Sequence, residues 1–545
     1  MRRHVTLTLL VASGLSLLLA LGGCDSLTSY NENPNQATSA NPNNLLANAQ
    51  RYMSGEVYAG TNMMRRSNVW AQYTTQNFYP SESRYSPVDY PWEGFYTRLT
   101  DLKTAKQIAK ERPGTVQNQG NFQAVATIMQ TWAFQILTDA YGDIPFNEAL
   151  QQRGNQSPAY TAQADIYPAL VDSLNTALGK INTGAAGPSG DLVNGGNMEM
   201  WQKFANGLKM RIALRGYELD ANWGDLGGPG EIISNAVDPN VNGEPLTSNA
   251  DNVYFQFGTS AVHRNSYYEN REVDFRDDFD GSARFIGFME TNYGAADPRL
   301  DAYFEQTSNS GRPCADGSGE YEGFPFALKQ GDAQATYSGN PPCAFSRPEA
   351  WFPNGPSGEG DSFSPMMYYD EVLLTKAWAA NEGLISGTPE DLVGDAIEAS
   401  VNFYGNQTDA DISGSSSATQ NYISQVQNDF DSDPEQVIGE QRYISFYMHN
   451  IQGWSTWRRF DFEGVLGAPE GGVAGGFDSY APLRVPYPPS EANLNGENYT
   501  DAASKCSGDF QGSSGSEGGA QNEDEDCRVA WDVDGPPSAN AYSAD

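Results

Sequence analysis

The sequence predicts a mostly α-helical protein, and three observations carry that expectation. Apolar residues recur at threes and fours through most of residues 45–222, and again through residues 366–495. Between these stretches, residues 223–365 lose the periodicity and fill with Gly, Pro, Asn, Asp and aromatic residues. No consensus returns at a fixed period near ~34 residues, so the pattern gives helical hairpins around an irregular block and no named repeat.

Taken in order, the chain begins with Arg2 and Arg3 before an uncharged apolar run, Val5 to Leu21, too short and too early for a membrane span. Residues 1–23 therefore read as a secretory signal. The run ends in Leu21-Gly22-Gly23-Cys24, the arrangement of a bacterial lipoprotein signal, which would make Cys24 the first mature residue and the bearer of the lipid. A plain signal peptide with a chance cysteine is the alternative. Residues 24–44 are polar and rich in Asn and Pro, as befits a tether.

A helix is expected from Leu45 to Tyr58 and a second from Asn62, carrying Trp70 and Tyr73. Next, Asn77 to Trp92 places three prolines and five aromatics in sixteen residues. No helix interior tolerates that, and it is too aromatic for an ordinary solvated loop. Helical pattern resumes at Phe95 to Glu111. It returns with Phe122, Val125, Met129, Trp132, Ile136 and Leu137 on one amphipathic face. That helix stops in a corner, where Gly142 can take a positive φ and Pro145 forbids resumption. Asp165 to Ile181 and Trp201 to Ile212 follow, and Lys203, Lys209, Arg211 and Arg215 give the latter helix a basic face that suits salt bridges within the fold. After the irregular block, helices are expected at 367–381, 388–403, 418–430 and 434–448. Residues 496–545 form an acidic, Gly/Ser-rich tail.

The formal net charge is −37, and removing residues 1–23 with their two arginines takes it to −39. Such a surface repels phosphate backbones, and no basic stripe overrides it, so nucleic acid is excluded as a partner. With 9 Lys and 23 Arg against 69 acids, the balance suits a solvated surface in high salt, where self-repulsion is screened. Cys314, Cys343, Cys506 and Cys527 would meet an oxidising compartment after export. Proximity favours Cys314–Cys343 and Cys506–Cys527 over the other two pairings. Zinc is disfavoured, because there is no CxxC and the mature chain holds only His263 and His449.

Several segments, in order, resemble the SusD/RagB family of surface nutrient-binding lipoproteins. They are the lipobox at Cys24, Asn33-Pro34-Asn35, LTDAYGDIPFNEAL at 137–150, WQKFANGLKMRIALR at 201–215, MMYYDEVLLTKAWA at 366–379, EQRYISFYMHNIQGWSTWRR at 440–459 and PLRVPYPPSEANLN at 482–495. The resemblance implies a scaffold of tetratricopeptide-like helical pairs with an irregular, loop-rich ligand-binding subdomain at 223–365. It also implies a lipoprotein on the outer face of the outer membrane, partnered with a SusC-like TonB-dependent β-barrel transporter. The cargo would be oligosaccharides or, in some members, peptides. Residues 223–365 and the tail match no family segment, so the cargo stays open.

Sugars present apolar faces and hydroxyl rims, so a glycan platform needs aromatic rings beside amide, carboxylate or guanidinium groups. Aromatics on pattern-free loops are the candidates: Tyr79, Tyr85, Trp92, Tyr267, Tyr268, Trp351 and Phe352. Asn77, Arg84, Arg264 and Asn265 are the polar partners. Packing between loops and helices is the competing role for each ring. Trp132, Trp201 and Trp378 lie on helical faces and belong to the core, and Trp454, Trp457, Arg458 and Arg459 to the scaffold. No cofactor is expected, with structural calcium the one candidate. Asp429, Asp431, Asp433 and Glu440 fall at EF-hand-like spacing, but Pro434 occupies the position that needs glycine, so Asp433-Pro434 reads as a helix cap. Asp274, Asp277, Asp278 and Asp280 form a second acidic cluster. No GxSxG, HExxH or phosphate-binding loop occurs. A glycosidase needs only two carboxylates, so a surface glycoside hydrolase remains a further alternative.

Overall fold

The computed structural model describes residues 40–504, apart from 59, 87–89, 152–153, 277, 308–319, 340–343, 409, 450, 461–464 and 474–480, together with 529–530. The described residues from 42 onward belong to one compact unit. Cys24, Cys314, Cys343, Cys506 and Cys527 lie outside the described residues, and so do the expected lipid site and both expected disulfides.

The fold is mostly helical. In chain order the principal helices are α1 (Pro42–Tyr58), α2 (Glu93–Glu111), α3 (Gln119–Tyr141), α4 (Gln163–Leu178), α5 (Met198–Arg215), α6 (Pro229–Val237), α7 (Ala283–Thr291), α8 (Tyr369–Asn381), α9 (Pro389–Gln407), α10 (Ser417–Phe430), α11 (Pro434–Ser445) and α12 (Gln452–Phe460). From α1 to α6 each helix packs on the next. In the second half α8 packs on α9 and α11, α9 on α10, and α11 on α12. Three antiparallel two-stranded ladders pin the loops: β1 (Thr74–Gln76) with β5 (Phe279–Gly281), β2 (Ile144–Pro145) with β3 (Tyr160–Thr161), and β4 (Val253–Gln256) with β6 (Phe363–Met367).

The helix α3 is buried almost all round, a central element rather than the one-sided helix its apolar face predicts. Asn118 caps its start by accepting from the Asn121 amide at 2.9 Å, and Gly142 ends it at φ +77°. The next residue, Asp143, accepts from the Gln163 amide at 2.8 Å and so orders the start of α4. Residues 482–488 close over the corner. The Val485 amide donates to the Ala140 carbonyl at 2.8 Å, and the Tyr487 hydroxyl donates to the Asp143 carbonyl at 2.6 Å. Arg458 stacks 3.4 Å from the Trp454 ring centroid and donates to the carbonyls of Leu483 and Asp139 at 2.7 and 3.0 Å.

The basic helix turns its arginines inward. Arg211 of α5 grips both carboxylate oxygens of Glu371 of α8 at 2.6 Å, and Arg215 pairs with Asp139 of α3. Both pairs are buried, so losing one partner strands a charge and costs about 3–5 kcal/mol. The Arg211–Glu371 pair joins the two helical groups across the core, the Arg215–Asp139 pair ties α5 to α3, and Arg215 reaches the second group by donating to Gln452 of α12 at 2.9 Å.

Two expectations change, and the expected cap at Asp433 is met. The block 223–365 contains α6, α7 and a further helix, Gln330–Gly339, each of 9 or 10 residues and too short for the periodicity window to register. The helix expected from Asn62 is instead a π-helical stretch, Gly60–Ser67, followed by a single turn, Asn68–Trp70. In the EF-hand-like run, Asp433 caps α11 by accepting from the Gln436 amide at 3.1 Å. Glu440 turns into the core, where Asn292 and Gln436 each donate to it at 2.8 Å.

Candidate ligand-binding face

The β1–β5 ladder ends where the Asn77 amide donates to the Asp278 carbonyl at 3.0 Å, and both chains then turn outward. A buried polar network fixes the turn after β1. The Gln76 amide donates to the Ser83 hydroxyl at 2.7 Å, and the Gln76 side chain accepts from the Tyr79 amide at 3.0 Å and donates to Glu82. Arg65 in turn holds Glu82, donating from Nε at 2.9 Å. Beneath them Asn77 Nδ2 donates to Asp280 Oδ2 at 2.9 Å. Above this network the rings of Phe78 and Tyr79 point to solvent, 47% and 43% exposed.

These two rings meet edge to face, centroids 4.9 Å apart, and the Arg276 guanidinium stands 5.5 Å from the Tyr79 centroid. Asp278 fixes Arg276 through Nε at 2.8 Å and Nη2 at 2.5 Å. Next in the chain, Phe275 is 86% exposed with φ +53°, a backbone conformation that costs a bulky side chain energy. Gln72 and Tyr85 are left-handed as well, at φ +56° and +60°. Phe275 thus holds strained backbone beside Arg276, whereas Gln72 and Tyr85 are buried. Exposed rings beside a fixed guanidinium and carboxylate are suited to stacking on an apolar sugar face and bonding its hydroxyl rim.

Of the sequence candidates, the structure brings Asn77, Tyr79 and Arg84 to this face. Asn77 lies under it as a support, Tyr79 on it, and half-buried Arg84 at its edge, donating to the Gly472 carbonyl at 2.6 Å. Arg264 and Tyr268 form a second, half-buried pair, with the guanidinium 5.1 Å from the ring centroid and tied to Glu269. The other six are interior, and a buried ring offers no face to a sugar. Tyr85 accepts from Gln72 at 2.7 Å and packs on Phe326. Trp92 is the hub of a cluster with Tyr96, Tyr141, Tyr160 and Tyr487, its indole donating to Glu491 at 3.2 Å. Asn265 is fully buried and donates to the carbonyls of Pro353 and Gly360 and to Ser362. Tyr267, Trp351 and Phe352 sit in the core.

Phe78, Phe275 and Arg276 are the residues that sequence reasoning missed. Phe78 shared the aromatic run with Tyr79, which was the available signal. Phe275 and Arg276 lie inside the acidic cluster Asp274–Asp280, whose carboxylates dominate the local sequence pattern. Among the described residues no group of three or more His, Cys, Asp or Glu is arranged to hold a metal ion.

A family model described as SusD-like, starch-binding and associating with the outer membrane, matches residues 34–488. No functionally curated protein matches the chain. Among solved structures, one described as a chitin-binding protein is 24% identical, covering 91% of this chain and 100% of its own with TM-score 0.70. A SusD homologue from Bacteroides fragilis is 20% identical, with coverages of 91% and 99% and TM-score 0.68. A chitin-binding SusD homologue from Flavobacterium johnsoniae is 20% identical, with coverages of 90% and 98% and TM-score 0.67. At these identities the structures establish the shared fold.

Proposed function

We proceed from the family: the chain belongs to the SusD-like family, a nutrient- and glycan-binding, non-catalytic group associated with the outer membrane, and we propose that it captures neutral oligosaccharides. The observation that carries this reading is the outward cluster of Phe78 and Tyr79 with Arg276 and Asp278 beside it. Formal charge narrows the cargo. A chain at −37 repels sulfated or uronate-rich glycans, which leaves neutral ones favoured. Chito-oligosaccharides are the first to test, because two structural neighbours are described as chitin-binding.

In this reading Cys24 carries lipid and holds the protein on the outer surface, and the cargo passes to a SusC-like TonB-dependent barrel. Calorimetry of the purified mature chain against chito-, cello- and malto-oligosaccharides tests the binding step, with heat expected for at least one series. Heat with oligopeptides and none with any glycan would replace the reading by peptide capture. New reducing ends on incubation would overturn the binding-only role. Changing Cys24 to Ser should move the protein from the membrane fraction to the soluble one, and co-purification with the barrel should survive mild detergent.

A further inference from the structure

A cavity of about 340 Å³ opens between α7 and residues 465–467. It is tied to the aromatic face by Gln72, whose side chain donates to the Gly467 carbonyl at 2.9 Å and accepts from Arg284 at 2.9 Å. Phe78 lies six positions after Gln72, at most ~21 Å of extended chain, a span comparable to the length of a short oligosaccharide. The volume lies at the lower end of the roughly 300–1,000 Å³ of ligand pockets, which suits one sugar unit rather than a chain.

The walls differ in chemistry. Phe288, Val465 and Leu466 bring apolar surface to the lining, and Arg284, Thr291 and Asn292 bring polar groups. Arg284 is held by Gln72, by the Ala468 carbonyl at 2.5 Å and by the Phe326 ring below it. The Thr291 hydroxyl donates to the Gly287 carbonyl, and the Asn292 amide nitrogen donates to Glu440, both at 2.8 Å. A hydroxyl that donates keeps lone pairs, and an amide that donates keeps its carbonyl oxygen, so both can accept from an N–H. Gly287 is the position that keeps the space open: a Cβ built there meets no atom within 4 Å.

We propose that this cavity is a specificity subsite that seats one N-acylated sugar unit of a ligand lying across the Phe78–Tyr79 face. The acyl methyl rests on the Phe288, Val465 and Leu466 wall, and the amide N–H donates to Thr291 or Asn292. A plain hydroxyl at the same sugar carbon leaves the apolar wall uncovered. The inference rests on the glycan-binding reading above and adds the substituent that is read.

The test compares two oligosaccharide series with the same β-1,4 linkage that differ at one substituent, chito- and cello-oligosaccharides, by calorimetry on the mature chain. Wild type is expected to bind the N-acetylated series at least tenfold more tightly. Gly287→Leu fills the cavity without a clash at Cβ and improves helix propensity, so a retained thermal transition certifies its fold. It should shrink the preference to less than threefold, and Thr291→Val should reduce it in the same direction. Tyr79→Ala should weaken both series and leave their ratio unchanged. Equal wild-type affinity for the two series, or a ratio untouched by Gly287→Leu, overturns the subsite while the glycan-binding reading stands. Binding of neither series overturns the subsite, and failure with the malto series too overturns the reading beneath it.

Discussion

In the corner where α3 meets residues 482–488, arginines and aromatic rings turn inward. At the end of the β1–β5 ladder the same two residue types turn outward. Both regions rest on buried polar networks. In the corner, Arg458 spends its donors on the carbonyls of Leu483 and Asp139, and Arg215 on the Asp139 carboxylate, so charge is consumed in closing the chain over itself. On the ladder face, Gln76, Glu82, Ser83 and Asn77 satisfy one another beneath the surface. The rings above them are left to the solvent. A polar network therefore does not by itself mark a binding site; the direction in which its neighbouring rings are left facing does.

The largest effect should come from the corner. Asp139→Ala leaves Arg215 charged and buried without its carboxylate, and should lower stability by about 3–5 kcal/mol in urea unfolding. Affinity per folded molecule should not change, because the ladder face keeps its own supports. A large loss of affinity in the folded fraction would break the separation between the two regions.

The core also carries a pH signature. Burial pushes the His449 imidazole down to about 3 and the Asp370 carboxyl up to about 6. Below pH 6.5 the unfolded chain protonates His449 and the folded chain does not, so stability falls on acidification. Between pH 6 and about 4 folded Asp370 binds a proton that the unfolded chain does not, which opposes that fall. Relative to Asp370→Asn, wild type should therefore gain about 1.4 kcal/mol per pH unit between 6 and 4, close to 3 kcal/mol in all. Parallel stability curves for the two proteins across that window would sink the assignment.

On the outer face, Tyr79→Ala should weaken oligosaccharide binding by about 1–3 kcal/mol, by analogy with base stacking on aromatics. Stability should move by no more than ~0.5 kcal/mol, since the ring is half in solvent. The reverse pattern, a stable affinity and a lower melting point, would return Tyr79 to packing.

The corner was legible in the sequence because its physics is local. Gly142 and Pro145 act on their own backbone, and the apolar run before them is long enough to show its period. The choice among loop aromatics was not legible, because exposure is set by distant partners. Trp92 and Tyr79 belong to the same sixteen-residue loop, yet Trp92 is enclosed by Tyr141 and Tyr487, whereas Tyr79, beside Phe78 and Arg276, is 43% exposed. Composition treats the two alike. Phe275 and Arg276 were hidden for a related reason: their neighbours in sequence are acids, and their neighbour in space is a strand 200 residues earlier, since Gln76 pairs with Phe279.

The smallest effect bears on Phe275. At φ +53° and 86% exposed it gives up backbone energy without burying its ring, a combination that stability alone does not favour. Phe275→Gly should relieve the conformation and raise stability by about 0.5–1 kcal/mol. If the ring serves the ligand face, the same change should weaken oligosaccharide binding. Phe275→Ala separates the two contributions, because it keeps the left-handed backbone under strain and removes only the ring. Affinity lost equally in both variants, with stability gained in the glycine variant alone, assigns the strain to presenting the ring. Affinity unchanged in both would confine the ligand face to Phe78, Tyr79 and Arg276 and leave Phe275 outside it.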